Sequence, residues 1–188
     1  FDLAGFAVGA VEKKLLLTKD KIKKNNIILA IPSSGLHSNG FSLIRQIIKK
    51  KFKNKIPINI KNELIKPTKI YVDEINKLNN KKLIHGCANI TGGGLLNNLI
   101  RVVPKNLCLN INLSKIKTLN IFKWLKKNNI KDSEMISTFN CGVGFCIIID
   151  KKNINKISKF FPKKYKPYEI GFLNNDKARI KTFGTIKW

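Results

Sequence analysis

Short apolar runs alternate along the chain with stretches of helical periodicity. Residues 27–31 form an uninterrupted apolar run closed by Pro32, which has the length and bulk of a buried strand. After a loop, apolar residues within 41–48 recur at spacings of three and four, which predicts a helix with one buried face. The pattern thus predicts a strand, a loop and a helix in succession, with Ser38 or Asn39 able to cap the helix.

The same alternation continues to the end of the chain. Strands are predicted over 82–90, 107–113, 141–150, 168–173 and 178–183. Helices are predicted over 66–78 (started by Pro67), 95–103, 119–128, 132–138 and 153–161. Strands that alternate with helices predict an α/β or α+β domain.

The first residues differ in character from the rest. Residues 1–17 begin as a small, glycine-punctuated strand pattern and end at a polar break over 18–20. We therefore expect 1–17 to be the last strand of an upstream domain and 18–188 to be one α/β domain. The start lacks an initiator methionine and signal-peptide features, which is typical of a piece that begins within a longer protein.

The chain is strongly basic, with a formal net charge of +26. Only Arg45, Arg101 and Arg179 are arginines, and the lysine runs lie far apart without interleaved aromatic residues. This scatter favours solvated faces, with no specific nucleic-acid partner, over the clustered basic surface of a nucleic-acid-binding protein. A basic nucleic-acid-binding module remains the alternative from another functional class. No apolar run is long enough to predict a membrane span.

The cysteine pattern does not predict a metal site. The four cysteines form no CxxC pair, and the two histidines are remote from zinc-type spacing. Their neighbours are apolar or glycine, so each cysteine is expected to be a buried free thiol in a reducing, cytoplasmic compartment.

Two strand-to-helix junctions carry the candidate chemistry. The first corner, residues 33–40, has the sequence SSGLHSNG, and the second corner, residues 91–94, has the sequence TGGG. A helix that starts at such a corner turns its first N–H groups and the positive end of its dipole toward a phosphate. The same residues also suit plain tight turns, with His37 as a helix cap, so the pattern alone leaves both interpretations open.

A resemblance to a known family decides between them. The motifs that carry it are, in chain order, DLAGFAVGAVEK (2–13), SSGLHSNGFSLIR (33–45), PTKIYV (67–72), TGGG (91–94) and TFNCGVGF (138–145). Together they resemble the phosphoribosylformylglycinamidine cyclo-ligases, also called aminoimidazole ribonucleotide synthetases. The resemblance covers essentially the whole chain.

The resemblance implies a fold, a reaction and partners. It implies the C-terminal mixed sheet-and-helix domain of a two-domain fold, and ATP-dependent closure of formylglycinamidine ribonucleotide to aminoimidazole ribonucleotide in purine biosynthesis. The N-terminal half of such proteins supplies the homodimer contacts and the carboxylates that hold Mg²⁺ with ATP. The chain by itself is therefore expected to have no metal ligand and no activity, and to have small-molecule rather than membrane partners.

Residue roles follow from the same motifs. His37 is the expected acid–base or hydrogen-bonding group, and Asn39 is expected to orient the substrate beside it. For Arg101 a structural ion pair, and for Asn140 a packing role, remain open. The residues expected to bind substrate or phosphate are Ser34, Gly35, Ser38, Gly40, Thr91, Gly92, Gly93, Gly94, Arg101 and Asn140.

The chain departs from the family pattern near the second corner. Asn89 stands where relatives have a histidine, so any titrating role at that position is lost. Residues 97–101 read NNLIR where relatives typically read ENIPR. His85 is expected to be a structural histidine. Related ATP-using enzymes of the same architecture, such as selenophosphate synthetase, thiamine-monophosphate kinase and formylglycinamidine synthase, remain alternatives.

Overall fold

One mixed β-sheet organises the protein. The computed structural model describes residues 4–53 and 55–188. Six strands form the sheet in the order β2-β4-β1-β5-β3-β6, and neighbours are antiparallel except for the parallel pair β3 and β6. The strands are β1 Ile27–Pro32, β2 Gly86–Asn89, β3 Cys108–Asn112, β4 Val143–Ile149, β5 Tyr168–Asn174 and β6 Ile180–Phe183.

Helices cover both faces of the sheet. They are α1 Phe41–Phe52, α2 Ile58–Leu64, α3 Val72–Asn80, α4 Gly94–Val102, α5 Asn120–Lys126, α6 Asp132–Thr138 and α7 Ile154–Ser158. Helices α1, α2, α4, α5 and α6 pack on one face, and α3 and α7 pack on the other. The expected α/β fold with a mixed sheet is confirmed. None of the helices within 4–53 and 55–188 has the length and hydropathy that crossing a membrane requires.

Strand β1 lies in the middle of the sheet and is buried on both sides. Ile28 and Ala30 point into the larger core, while Ile27, Leu29 and Ile31 point into the smaller one. Burial on both faces explains why the strand is a continuous apolar run rather than an alternating one. The four cysteines are free thiols, as expected; Cys108, Cys141 and Cys146 are buried, whereas Cys87 is partly exposed and departs from the expected burial.

The chain between the first corner and α3 differs from prediction. The helix expected from Pro67 begins only at Val72, and residues 67–71 are not helical. The Ser34 hydroxyl donates to the Pro67 carbonyl (2.7 Å) and accepts from the Lys69 N–H (3.1 Å), so backbone groups that a helix would use are bound elsewhere. Helix α2, which was not predicted, precedes this segment and starts after Pro57.

The described part of 1–17 does not form the predicted strand in this chain. Residues 4–12 have no regular structure, and Lys13–Leu15 form a 3-10 turn. Phe6 and Val8 are fully exposed, and a strand needs a hydrogen-bonded neighbour that these residues lack here. Residues 1–3 lie outside the described residues. The assignment of 1–17 to an upstream domain stays a prediction.

Arg179 closes the loop after α4, and its removal should cost stability. Its guanidinium donates to the carbonyl oxygens of Pro104 (2.5 Å), Leu107 (2.7 Å) and Val103 (3.3 Å). Since hydrogen bonds from a charged donor contribute about 1.5–3 kcal/mol, Arg179→Ala should lower the free energy of unfolding by about 2–3 kcal/mol in urea titrations. The matched control is Arg45→Ala, because exposed Arg45 donates its hydrogen bond to Phe41 of its own helix and should change stability by less than about 0.5 kcal/mol. Equal losses in the two variants would contradict this role.

Candidate active site

The sheet topology brings the two corners together. Strands β1 and β2 both pair antiparallel with β4, so they run in the same direction and end at the same edge of the sheet. The first corner follows β1 and the second follows β2. The side-chain oxygen of Asn39 lies only 3.4 Å from the position that a Cβ on Gly92 would occupy. The corners thus form one continuous surface, on either side of the start of β4.

The first corner is held in a left-handed backbone conformation. His37, Ser38 and Gly40 have φ values of +53°, +60° and +78°. The Asn39 amide donates to the His37 carbonyl (2.7 Å) and fixes this turn. The prediction that Ser38 or Asn39 caps α1 is wrong, because Gly40 is the N-cap and α1 has no side-chain cap. Gly40 also packs against the ring of Phe139, where a side chain would collide.

His37 is buried, and only 6% of its surface is exposed. Its Nε2 accepts a hydrogen bond from the Ser34 N–H (3.0 Å) and lies 3.0 Å from the Ser34 hydroxyl. Burial lowers the pKa of His37 to about 4, so the imidazole is neutral near pH 7. This setting suits hydrogen bonding by a neutral imidazole, and an acid–base role for His37 stays a prediction.

The buried imidazole predicts a pH dependence of stability. Between the folded pKa of about 4 and the ordinary value of 6.5, the unfolded chain binds a proton that the folded chain does not. The contribution of His37 is therefore complete above pH 6.5 and is lost as the pH falls toward 4. In urea titrations across this window, His37→Gln should show a shallower fall of unfolding free energy than the unmodified chain.

His85 provides the comparison for that experiment. Burial lowers the pKa of His85 as well, and its Nδ1 is 2.8 Å from the Asn26 side-chain oxygen. His85→Gln should also flatten the profile, whereas the double variant should flatten it most. An unchanged slope in His37→Gln would show that folding does not lower the pKa of His37.

Asn140 holds the first corner in place. Its side-chain oxygen accepts from the Ser33 hydroxyl (3.1 Å) and from the Gly142 N–H (2.8 Å), and its amide donates to the Gly35 carbonyl (2.9 Å). The residue is 1% exposed. These internal bonds and the burial of the side chain favour the packing alternative, and direct phosphate binding by Asn140 stays a prediction.

The second corner is held by a residue that the sequence did not single out. Buried Asn98 donates to the carbonyl oxygens of Gly94 (2.7 Å), Thr91 (3.2 Å) and Gly92 (3.3 Å). The Thr91 hydroxyl also reaches the Asn98 side-chain oxygen (3.3 Å). The signal available in the sequence is an amide on the apolar face of a short helix, where a polar group needs partners. Asn98 therefore determines the shape of the TGGG turn.

Arg101 lies away from the two corners. It is exposed in the last turn of α4, at the opposite end of that helix from Gly94, which at 1.5 Å per residue is about 10 Å along the axis. Its neighbours around a small cleft include Leu17 and Cys87. The structure does not bring Arg101 together with the corner residues, and its role in binding substrate or phosphate stays a prediction.

Two helix N-termini open onto the shared surface. The N-cap residues are Gly40 for α1 and Gly93 for α4, and neither helix has a side-chain cap. Their first-turn N–H groups lack intrahelical partners and lie at the positive ends of the helix dipoles. Ser38, Thr91 and Gly92 are exposed beside them. This arrangement suits an anion with several oxygen atoms, such as a phosphate.

An apolar groove adjoins the corners. It has a volume of about 290 Å³ and is walled by the segment from Thr68 through Val72, with Phe145 and Asn89 opposite. The rings of Tyr71 and Phe145 lie 5.3 Å apart between centroids. Asn89 is exposed at the end of β2, so the residue that replaces the family histidine faces this groove. Such a groove suits a flat ring attached to a phosphate on the corners.

The corner residues do not suit magnesium. In the part of the chain that the structure describes, no three His, Cys, Asp or Glu side chains come together as metal ligands. Magnesium prefers carboxylate oxygens, whereas the corners offer N–H donors, hydroxyls and amides.

Comparison with known proteins identifies the domain. The family model described as "AIR synthase related protein, C-terminal domain" matches residues 23–181. The chain belongs to this family. This AIR synthase related domain is 40% identical over 192 residues to the phosphoribosylformylglycinamidine cyclo-ligase of Enterococcus faecalis, covering 97% of the chain and 55% of that relative. It is 43% identical over 160 residues to the Prochlorococcus marinus protein of the same name, covering 81% and 46%.

Solved structures show the same fold. The AIR synthase related domain matches Thermotoga maritima PurL in complex with ADP, with a TM-score of 0.57, 10% identity, and coverage of 92% of this chain and 25% of that one. It also matches thiamine monophosphate kinase from Aquifex aeolicus, with a TM-score of 0.58, 13% identity and coverage of 91% and 54%. The resemblance drawn from the sequence motifs is confirmed, and the chain spans about half the length of the curated relatives it matches.

Proposed function

We propose that this chain is the C-terminal part of an ATP-dependent phosphoribosylformylglycinamidine cyclo-ligase. The reaction closes formylglycinamidine ribonucleotide to aminoimidazole ribonucleotide and releases ADP and phosphate. The observation that carries the proposal is the meeting of the two corners, with Asn39 against Gly92 and an uncapped helix start on each side. The identity of about 40% to relatives with that name supports this reaction over those of the structural neighbours at 10–13%.

Some corner residues contact the bound molecule, and others hold the backbone behind them in place. Ser38, Thr91, Gly92 and Gly93 lie on the open surface, where their N–H and hydroxyl groups bind a phosphate of the substrate or of ATP. Asn39 joins the two corners and orients the bound molecule between them. Ser34, Gly35, Gly40 and Gly94 shape the backbone behind that surface, and Asn140 and Asn98 hold it in place.

The remaining parts of the reaction belong to the upstream half. We place there the carboxylates that bind Mg²⁺ with ATP and the surface that forms a homodimer. The intact protein then acts in the cytoplasm on small nucleotides, without a specific nucleic-acid partner. Phosphoryl transfer depends mainly on positioning and on donors aimed at developing charge, which is the contribution of these corners.

The test restores the missing half. The chain is fused to the part of the Enterococcus faecalis relative that it does not match, and ADP release is measured with formylglycinamidine ribonucleotide and ATP. Substrate-dependent ADP release by the fusion, with none from the chain alone, is the expected result. A fusion that folds and dimerises yet releases no ADP with this substrate would count against the proposal.

A further inference from the structure

We propose that His37 acts as a neutral imidazole whose Nδ1–H donates a hydrogen bond to an oxygen of the bound nucleotide, and that it transfers no proton. The identity of the ligand rests on the function proposed above. The protonation state of the imidazole rests on contacts within this chain.

The surroundings of Nε2 determine which nitrogen carries the proton. The Ser34 N–H points at Nε2 from 3.0 Å, and the Lys69 N–H lies 3.5 Å away. The Ser34 hydroxyl also lies near Nε2, but it donates its hydrogen bond to the Pro67 carbonyl. A hydrogen on Nε2 would point at the hydrogens of these N–H groups and repel them. Nε2 must therefore be the acceptor, and Nδ1 carries the hydrogen and is the donor.

The Nδ1–H has no partner within the described residues. The atom is buried and makes no hydrogen bond in 4–53 and 55–188. A buried donor without an acceptor costs about 1–3 kcal/mol, and native proteins rarely carry one. His37 and Ser38 also have positive φ values, which add strain of about 1–3 kcal/mol each. An unpaired donor on a strained turn is typical of a group that forms its hydrogen bond when a ligand binds.

The position of the imidazole indicates the kind of ligand. Its Cε1, the atom between the two ring nitrogens, lies beside Gly144, where any side chain would collide with it. The Gly144 carbonyl accepts from the Ile90 N–H (3.0 Å), directly before the second corner. The ring of His37 thus lies close to the start of the second corner, where the helix starts favour anionic oxygen. A phosphate oxygen and the formamide oxygen of the substrate share the acceptor chemistry that the Nδ1–H requires.

No neighbouring charge favours the imidazolium. The Tyr71 ring is 6.1 Å from the imidazole between centroids, and its hydroxyl donates to the Pro32 carbonyl (2.7 Å). The Lys69 ammonium is paired with Glu74 (2.9 Å). In the described part of the chain no carboxylate forms a hydrogen bond or ion pair with His37. Burial thus acts unopposed to keep the ring neutral.

Two substitutions distinguish the role of the Nδ1 donor from that of the Nε2 acceptor. His37→Asn places an amide N–H where Nδ1 was and removes the Nε2 acceptor, whereas His37→Gln keeps a polar group near Nε2 and removes the Nδ1 donor. In the fusion enzyme we expect His37→Gln to lower kcat by about 10²–10³-fold, the usual loss for a donor aimed at developing charge, and His37→Asn to lower it by no more than about 10-fold. His85→Asn serves as the control and should leave kcat unchanged, because His85 precedes β2 at the end remote from the second corner.

The pattern of losses distinguishes the roles. A larger loss in His37→Asn than in His37→Gln would assign His37 to loop support through Nε2 and overturn the proposal. Comparable losses in both variants, with a limb of the kcat–pH profile missing from each, would show proton transfer and overturn it as well. The expected profile of His37→Asn keeps every limb of the wild-type profile.

A second measurement does not depend on activity or on the variants. In ¹⁵N-histidine NMR of the chain itself, which has two histidines, His37 should be the Nδ1–H tautomer from about pH 5 to about pH 8. The Nδ1–H signal should shift on addition of inorganic phosphate or of formylglycinamidine ribonucleotide, and the responding probe shows which oxygen it binds. An Nε2–H tautomer, a titration near pH 6.5, or no shift with either probe overturns the proposal. An inactive fusion that still shows the tautomer and the shift would refute only the proposed function.

Discussion

Gly94→Ala should destabilise the protein by about 2–5 kcal/mol, the sum of left-handed backbone strain and overpacking. Gly94 has a φ of +71°, and a Cβ there would overlap the carbonyl of Ile136 in α6. Backbone atoms cannot move aside as the end of a flexible side chain can, so α4 and α6 would have to separate. The measurement is the free energy of unfolding from urea titration monitored by circular dichroism.

The neighbouring glycine provides a matched control. Gly93 has a φ of +94°, but a Cβ there would lie 3.6 Å from the Cβ of Asn97, which is an ordinary contact. Gly93→Ala should therefore cost only the backbone strain of about 1–2 kcal/mol. The difference between the two variants measures the contact between α4 and α6. Equal losses would show that the helices do not pack as closely as described.

Asn140→Ala should cost about 3–5 kcal/mol of unfolding free energy. It leaves the Ser33 hydroxyl, the Gly35 carbonyl and the Gly142 N–H without their partner in a buried region, and each unpaired group costs about 1–3 kcal/mol. Because these bonds join the first corner to the start of β4, the substrate KM of the fusion enzyme should rise in the same variant.

An exposed asparagine supplies the comparison for this second experiment. Asn106→Ala changes a solvent-facing loop residue and should alter stability by less than about 0.5 kcal/mol. A loss below about 1 kcal/mol in Asn140→Ala would mean that water replaces the Asn140 amide, and that the first corner keeps its shape without it.

The helix expected from Pro67 shows where local pattern was insufficient. The spacing of Ile75 and Leu78 correctly indicated a helix, and that helix exists as α3. Its start was misplaced because the Ser34 hydroxyl captures the backbone of Pro67 and Lys69. That hydroxyl is distant in sequence, so no local signal reports the contact. The same segment forms the wall of the groove, which the sequence therefore did not indicate.

Some site residues could be recognised from local sequence features, whereas the position of others depends on the fold. Glycines at both corners could be recognised in the sequence, since a positive φ next to a helix start favours glycine. Arg101 was grouped with them by motif and chemistry, but the direction of α4 carries it away. Asn98 was passed over although an amide on a buried helix face is a usable signal.

The amino-acid sequence by itself determined the alternation of strands and helices, the two glycine corners and the family, because hydrophobic period, turn residues and ordered motifs are local properties. Only the tertiary structure decided that the corners meet and that His37 is neutral. The order β2-β4-β1 aligns the ends of two strands far apart in the chain, and the backbone N–H groups of Ser34 and Lys69 select the tautomer of the imidazole. The meeting of the corners depends on long-range strand pairing, which local sequence patterns do not encode. The tautomer depends on the local fold of the first corner and on the Lys69 N–H, which is distant in sequence.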